Sequence, residues 1–324
     1  MLPRKYCSSF CRPAHGRLIL SAVLIAVIGW GGWQSIPKPH FVFDQRQLAS
    51  NRLLARLTKS SLVPFPGRSR YTIDSTGMRV QPGAALYVQL SEIDGVMCGR
   101  YQAVGETGAL IEIFAEQKNA RTLVISRTLD PASRKSDSSA FYFMVNPEGL
   151  PPGTERIALS VPATSTGAVD WRDLSPATPP ELASMPTFPF PWRAFDGFIP
   201  PATDGAALFT HAPSQLILTL PIGRRRLHLK FGINPRVFSN PNNHTDGADF
   251  QITVVSPHGS EILFQSRIEP ELHPAERALQ PITIMLDMTA ASTLHFVTGP
   301  GPHGNINFDW LEWRDFHVDP LAAR

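Results

Sequence analysis

Apolar and polar residues alternate along much of the chain, which predicts β-strands that are buried on one face. Every second residue is Leu, Phe, Ile or Val in 227–233, 250–254 and 282–286. Clusters of Pro, Gly and Asn, such as 240–243 and 299–302, separate these strands, and no helical pattern between them is long enough for a parallel crossover. The pattern therefore predicts an all-β fold made of antiparallel β-sandwiches.

The two halves of the strand-rich region match each other at an offset of 139 residues. The pairs in register are Gly108-Ala109 with Gly247-Ala248, Asp170-Trp171 with Asp309-Trp310, and Pro131 with Pro270. A repeat this long indicates tandem duplication of a whole domain and not a solenoid. Because the Asp-Trp pair recurs in both copies at a strand-like end, we expect Trp171 and Trp310 to pack in the core.

The repeat and the proline content together predict the domain organisation. Two tandem antiparallel β-sandwiches, jelly-roll-like in type, are expected at 64–175 and 192–318, with a short tail at 319–324. The intervening segment 176–191 contains six prolines, which favour an extended, semi-rigid spacer. We therefore expect the two sandwiches to keep a limited range of relative orientations.

An uncharged apolar run from Leu18 to Ile28, extended as far as Trp33, predicts a single N-terminal transmembrane helix at 18–36. Basic residues are concentrated before the run, which indicates a short cytosolic tail at 1–17 and a bulk outside the cytoplasm. A cleaved signal peptide is the alternative, although a bulky Trp30 lies between the small residues that cleavage needs. The expected location is a bacterial inner membrane, crossed once, with the bulk in the periplasm or outside the cell.

The charge distribution also favours a lipid bilayer as partner. Residues up to Ser60 carry nine Lys and Arg against one Asp, whereas the whole chain is only +3. Basic charge beside an apolar run is explained better by a membrane than by nucleic acid, so no nucleic-acid partner is predicted. The segment 37–63 is predicted as a juxtamembrane amphipathic stalk, lying on lipid or packed on the next domain. Contacts with membrane or partner are expected from Arg17, Trp30, Trp33, Arg52, Arg56, Arg224, Arg225 and Arg226.

Composition and motifs argue against catalysis. Charged residues make up 18% of the chain and there are 31 Pro, which disfavours long exposed helices, and three Cys cannot build a disulfide scaffold. The sequence has no G-x-S-x-G, no H-E-x-x-H and no P-loop. We therefore predict a protein that is not an enzyme.

Three segments of the second copy carry a family resemblance. They are D-G-A-D-F-Q-I-T-V-V at 246–255, I-M-L-D at 284–287 and N-F-D-W-L-E-W at 307–313. In this order they resemble the NPCBM family, a group of proposed carbohydrate-binding modules with a galactose-binding-like jelly roll, over roughly 208–318. The resemblance implies a non-catalytic recognition fold whose commonest suggested role is carbohydrate binding. The first copy keeps only part of the pattern and is similar at most as a degenerate relative.

A sugar site needs an aromatic face for the C–H groups of the ring and polar side chains for its hydroxyls. The candidate ligand-binding residues are Trp192, Phe195, Asn240, Asn242, Asn243, His244, Asp246 and Trp313. Packing in the core is the alternative for Trp313. The loop 240–249 offers oxygens suited to calcium but lacks the spacing of a known calcium loop. We therefore predict no cofactor, with a structural calcium ion as the alternative.

Two functions fit these observations. In the first, a membrane-anchored protein binds envelope carbohydrate through the second sandwich. In the second, the protein is a structural subunit that braces a larger membrane complex through its helix and its paired sandwiches. A concave aromatic groove with polar neighbours would favour the first function, and a broad apolar patch near the first copy would favour the second.

Overall fold

The computed structural model describes residues 71–73, 78–93, 95–105, 107–130, 140–175, 187–198, 201–203 and 206–321. The described residues form β-strands joined by turns and short 3₁₀ segments, so the prediction of an all-β fold is confirmed. Within those ranges we find no helix with the length and apolar character that crossing a bilayer requires. The predicted tail, anchor and stalk, with Arg17, Trp30, Trp33, Arg52 and Arg56, lie outside the described residues.

Nine strands form the first sandwich. They are β1 (Tyr71–Ile73), β2 (Met78–Val80), β3 (Ala84–Gln89), β4 (Met97–Ala103), β5 (Ala109–Glu116), β6 (Arg121–Leu129), β7 (Phe141–Val145), β8 (Arg156–Val161) and β9 (Val169–Ser175). One layer has the order β3-β8-β5-β6 and the other has the order β1-β2-β9-β4-β7. The paired strands are antiparallel.

The next ten strands repeat this arrangement after one added strand. They are β10 (Trp192–Gly197), β11 (Ala202–Thr203), β12 (Ala207–His211), β13 (Ser214–Leu220), β14 (Gly223–Ile233), β15 (Ala248–Ser256), β16 (Gly259–Ile268), β17 (Gln280–Met288), β18 (Ser292–Pro300) and β19 (Trp310–Pro320). The layers of the second sandwich are β13-β18-β15-β16 and β11-β12-β19-β14-β17. Each is the order of the first sandwich with ten added to every strand number. Duplication of one nine-stranded unit would produce this repetition.

Each sandwich encloses its own hydrophobic core because inward and outward residues alternate along its strands. In β5 every second residue, from Ala109 to Ala115, is buried. The first core contains Tyr101, Phe143 and Trp171, and the second contains an aromatic group around Trp313. The period-two pattern read from the sequence is thus the pattern of burial.

Strand β10 joins the two sandwiches into one continuous sheet. It pairs with β7 on one edge and with β13 on the other, which gives a ten-stranded sheet. Its side chains contact both hydrophobic cores, since Ala194 packs in the first core and Trp192 packs against the second. Ile217 of β13 also reaches the first core. Main-chain pairing on both edges, and not only the Pro-rich spacer, therefore sets how the sandwiches are oriented.

A buried polar cluster fixes β10 to both layers of the first sandwich. Asp196 of β10 is fully buried and accepts hydrogen bonds from the Tyr101 hydroxyl of β4 and from Arg127 Nε of β6, the latter at 2.5 Å. The Arg127 guanidinium also lies 4.7 Å from the centroid of the Phe141 ring. Burial raises the pKa of Asp196, and the Arg127 charge opposes that rise. Burial also raises the pKa of Tyr101, which keeps its hydroxyl protonated as a donor.

Replacing Asp196 by Ala should destabilise the protein by about 3–5 kcal/mol, because Arg127 would be left as an uncompensated, largely buried charge. Urea unfolding at pH 7 measures the change. Asp249→Ala is the matched control, since Asp249 also pairs with an arginine, Arg267, but their side chains are 40% and 49% exposed. Solvent screens that exposed pair, so its loss should destabilise the protein much less than the loss of Asp196. Equal losses in the two variants would contradict the structural role assigned to Asp196.

Candidate functional site

Two of the aromatic residues predicted to contact a ligand are interior residues. Trp313 is 1% exposed, and its ring centroid lies 5.1 Å from that of Phe296 and 5.3 Å from that of Phe250. Phe195 is fully buried and packs with Met144 on the other face of β10 from the first core. Neither ring offers a face to a ligand, which corrects both assignments. For Trp313 the alternative of core packing holds.

The remaining predicted aromatic residue is part of the junction between the sandwiches. Trp192 is half-buried at the start of β10, and its carbonyl accepts a hydrogen bond of 3.0 Å from Asn146 Nδ2. A Cβ added to Gly149 would lie 2.2 Å from that same carbonyl oxygen, so only glycine permits this approach. The contacts of Trp192 are those of a structural residue.

The polar loop that was predicted to bind a sugar instead makes hydrogen bonds within the protein. Asn240 Oδ1 accepts from the Asn242 amide, and Asn243 Nδ2 donates to the Val237 carbonyl, each at 3.0 Å. His244 Nδ1 lies 3.1 Å from Glu271. Asp246 Oδ2 accepts from the amides of His303 and Asn305 at 2.9 and 3.3 Å. These contacts order the loop, and the structure does not bring its side chains together with Trp192, Phe195 or Trp313.

Trp310 is the exposed aromatic residue that the sequence analysis placed in the core. Its exposure is 46%, whereas Trp171 is fully buried as expected. In the first sandwich, Trp171 of β9 lies directly opposite Tyr101 of the paired strand β4. The equivalent pair in the second sandwich is Trp313 of β19 and Phe231 of β14. The structural equivalent of Trp171 is therefore Trp313, three residues beyond Trp310, which the 139-residue offset aligns with it. Trp313 fills the core position, and Trp310 is free to face outward.

Trp310 forms one wall of a pocket of about 270 Å³ on the second sandwich. The pocket lies where β12, β19 and the 3₁₀ turn after β14 meet. His211 of β12 is the direct cross-strand neighbour of Trp310, and the Asn234 amide donates to the Trp310 carbonyl at 2.7 Å. The complete lining is Ala202, Phe209, Thr210, His211, Asn234, Arg236 and Trp310.

The polar side chains of this pocket are oriented by the local backbone. Asn234 Oδ1 accepts a hydrogen bond of 2.9 Å from the Arg236 amide, which fixes the start of the 3₁₀ turn. His211 Nδ1 lies 3.0 Å from the Ala212 carbonyl, an acceptor, so Nδ1 carries a proton and Nε2 remains for a ligand. The Thr210 hydroxyl oxygen is buried and has no partner among the described residues. The pocket therefore combines an aromatic surface with several hydrogen-bonding groups.

A buried carboxyl group supports the loop behind Trp310. Asp309 is fully buried, and its Oδ1 accepts from the Thr245 hydroxyl at 2.9 Å. Burial raises the pKa of Asp309 to about 7, and the nearby charge of Asp246 adds to the rise. Gly247 has φ +107°, and a Cβ there would lie 2.0 Å from the Ile268 carbonyl oxygen, so this loop is closely packed.

In the described part of the chain, no group of three or more His, Cys, Asp or Glu is arranged to hold a metal ion. In loop 240–249, Asn240 Oδ1 and Asp246 Oδ2 accept the hydrogen bonds given above, whereas Asp246 Oδ1 is buried without a hydrogen-bond partner among the described residues. A structural calcium ion therefore stays an untested alternative.

The arginine run predicted to contact membrane or partner begins β14. Arg224 Nε lies 3.3 Å from Asp287, and Arg225 donates to the carbonyls of Pro221 and Ile222. Arg226 is exposed. Two of the three guanidinium groups thus have partners within the protein, and Arg226 presents its charge at the surface.

Comparison with known proteins gives distant likenesses. No family model and no curated protein matches the chain. CBM51 from Clostridium perfringens GH95, solved in complex with methyl-galactose, is 15% identical at a TM-score of 0.28 and covers 36% of this chain and 70% of that one. The CBM51-2 and INT domains of Clostridium perfringens ZmpB are 11% identical at a TM-score of 0.32, with 55% and 37% covered. The CBM22 tandem domain of Paenibacillus barcinonensis Xyn10C is 8% identical at 0.26, with 79% and 91% covered.

Scores of this size carry no functional argument, so the case for a function rests on the pocket. The resemblance to the NPCBM family stays a prediction. Sequence reasoning missed Trp310, His211, Asn234 and Arg236. One signal was present for Trp310: Leu311 and Trp313 share the buried phase of β19, which places Trp310 on the opposite face.

The raised pKa of Asp309 should make stability depend on pH. Between pH 3.8, which is the ordinary pKa of this carboxyl group, and about pH 7, Asp309 holds a proton in the folded protein that it has lost in the unfolded chain. Stability contributed by this group is therefore present below about pH 4 and is lost as the pH rises through about 7. Wild type should lose stability relative to Asp309→Asn between pH 4 and pH 8, as measured by urea unfolding.

The control for this experiment is Asp287→Asn, which removes a carboxylate whose side chain is 69% exposed. The free energy of unfolding of this variant should change with pH as that of wild type does over the same range. If the free energy of unfolding of Asp309→Asn also follows wild type across this range, Asp309 does not titrate in this way.

Proposed function

We propose that this chain is a non-catalytic recognition protein that binds carbohydrate through its second β-sandwich. The observation that carries the proposal is the pocket around the exposed face of Trp310. Indole rings pack against the C–H faces of sugars, while Asn234 and His211 offer groups for ring hydroxyls. The pocket combines aromatic side chains with Asn234, Arg236 and His211, which are the residue types expected for glycan binding.

The pocket fits binding better than chemistry. Its described lining has no Ser or Cys nucleophile and no pair of carboxyl groups, the two arrangements most used for cleaving acyl and glycosidic bonds. His211 is held by the Ala212 carbonyl, and no carboxylate among the described residues orients it as a general base. A rigid sheet edge with these side chains is suited to holding a ligand.

The proposal includes a membrane anchor at 18–36 and a bulk outside the cytoplasm of a bacterial cell. It is supported by the uncharged apolar run and by the basic residues concentrated before it. In this arrangement the second sandwich would present the Trp310 pocket to saccharides of the cell envelope. Protease protection of a C-terminal tag in spheroplasts and intact cells tests the orientation.

Replacing Trp310 by Ala should weaken saccharide binding by about fivefold or more, because truncation of a central aromatic residue commonly costs more than about 1 kcal/mol. Binding of the full-length protein in detergent to immobilised envelope saccharides measures the effect. Leu272→Ala is the control, since Leu272 is a large apolar residue with 70% exposure outside the pocket. It should bind as wild type does.

The same purified protein tests the structural-subunit alternative. If wild type binds none of the saccharides and instead elutes from its native membrane with stoichiometric partner chains, the carbohydrate proposal fails and the subunit function replaces it.

A further inference from the structure

We infer that the saccharide bound in the Trp310 pocket is acidic and that Arg236 pairs with its carboxylate. This inference rests on the proposed function, because it names the chemical class of the ligand of the same site. The described lining of the pocket contains one permanent cation, Arg236, and one imidazole, His211, and has no Asp or Glu. A pocket with that balance favours a ligand that carries negative charge.

Arg236 has the position and the freedom to meet such a ligand. Its amide is held by Asn234 Oδ1, and the Asn234 amide is held by the Trp310 carbonyl. Two hydrogen bonds through Asn234 therefore link the backbone of Arg236 to that of Trp310, and both residues line the same pocket. The residue is exposed, and no carboxylate among the described residues forms an ion pair with it.

Several other arginines of the described chain, unlike Arg236, have a carboxylate or aromatic partner within the protein. Arg79, Arg127 and Arg267 each bind a carboxylate, at 2.8, 2.5 and 2.7 Å. Arg277 lies 5.5 Å from the centroid of the Phe238 ring. A guanidinium group is shaped for two parallel hydrogen bonds to a carboxylate, and in Arg236 this capacity is directed to the edge of an aromatic pocket.

The size of the pocket agrees with a sugar ring whose acid group lies at the rim. Its volume of about 270 Å³ is below the range of roughly 300–1,000 Å³ that is typical for drug-sized ligands, so it suits a small ring. With the ring stacked on Trp310, a C6 carboxylate would extend toward Arg236. His211 Nε2 would then remain for a ring hydroxyl.

Matched sugar pairs that differ only at C6 test the inference. The probes are methyl β-glucuronide with methyl β-glucoside, and methyl β-galacturonide with methyl β-galactoside, added to the full-length protein in detergent and followed by calorimetry. At least one uronide should bind about threefold or more tighter than its neutral partner, since an exposed ion pair stabilises by up to about 1 kcal/mol. The preference should shrink as NaCl is raised, because the pair is exposed.

Three variants locate the effect. Arg236→Gln should remove the preference and leave the weaker binding of the neutral sugar, whereas Trp310→Ala should weaken binding of both. Arg226→Gln, a change of another exposed arginine outside the pocket, should keep the preference. Unfolding midpoints check that Arg236→Gln folds normally, as its exposure predicts.

The outcomes separate the two proposals. Equal binding of acid and neutral sugars, or a preference that survives in Arg236→Gln, overturns the inference and leaves carbohydrate binding intact. Binding of only the neutral sugars also overturns it. If neither these four probes nor the immobilised saccharides bind, carbohydrate recognition itself fails, and the acidic ligand fails with it.

Discussion

The main-chain hydrogen bonding of β10 to β7 and β13 is the constraint on which the rest of this structure depends. A single sandwich needs only its own core, but two sandwiches on a chain need something that fixes one against the other. Here the fixing element is a strand paired on both edges, so neither sandwich moves relative to the other without breaking sheet hydrogen bonds. The buried hydrogen bonds of Asp196 with Tyr101 and Arg127 also join β10 to both layers of the first sandwich.

The repeated strand order shows which core position the two sandwiches share and how the strands around it differ. The core position directly opposite Tyr101 of β4 holds Trp171 in the first sandwich, and the one opposite Phe231 of β14 holds Trp313 in the second. Trp313 fills that position. Trp310, the first residue of β19, precedes the buried Leu311 and is exposed. A tryptophan that the sequence repeat aligns with a core residue has thereby become available at the surface, beside Asn234 and Arg236 from a neighbouring turn.

The carbohydrate proposal depends on this pocket and not on the loop that the sequence favoured. The loop 240–246 contains the residue types that bind sugars, yet Asn240, Asn243 and Asp246 use their side chains to hold backbone amides and a carbonyl. Residue type alone does not separate a ligand-binding amide from one that stabilises a turn. The same loop borders the buried Asp309, so it supports the strand end that presents Trp310.

The sequence by itself determined that the described residues form β-strands and which faces of most of these strands are buried. Period-two alternation is a local property, and burial follows it directly, as in β5 and β15. The tertiary structure alone decided the candidate site. His211, Asn234 and Trp310 are brought together by strand register and by one hydrogen bond across β14 and β19, and such long-range pairings leave no local pattern. A slip of three residues between the two sandwiches, which the strand pairing shows, decided that Trp313 lies in the core and that Trp310 lies at the surface.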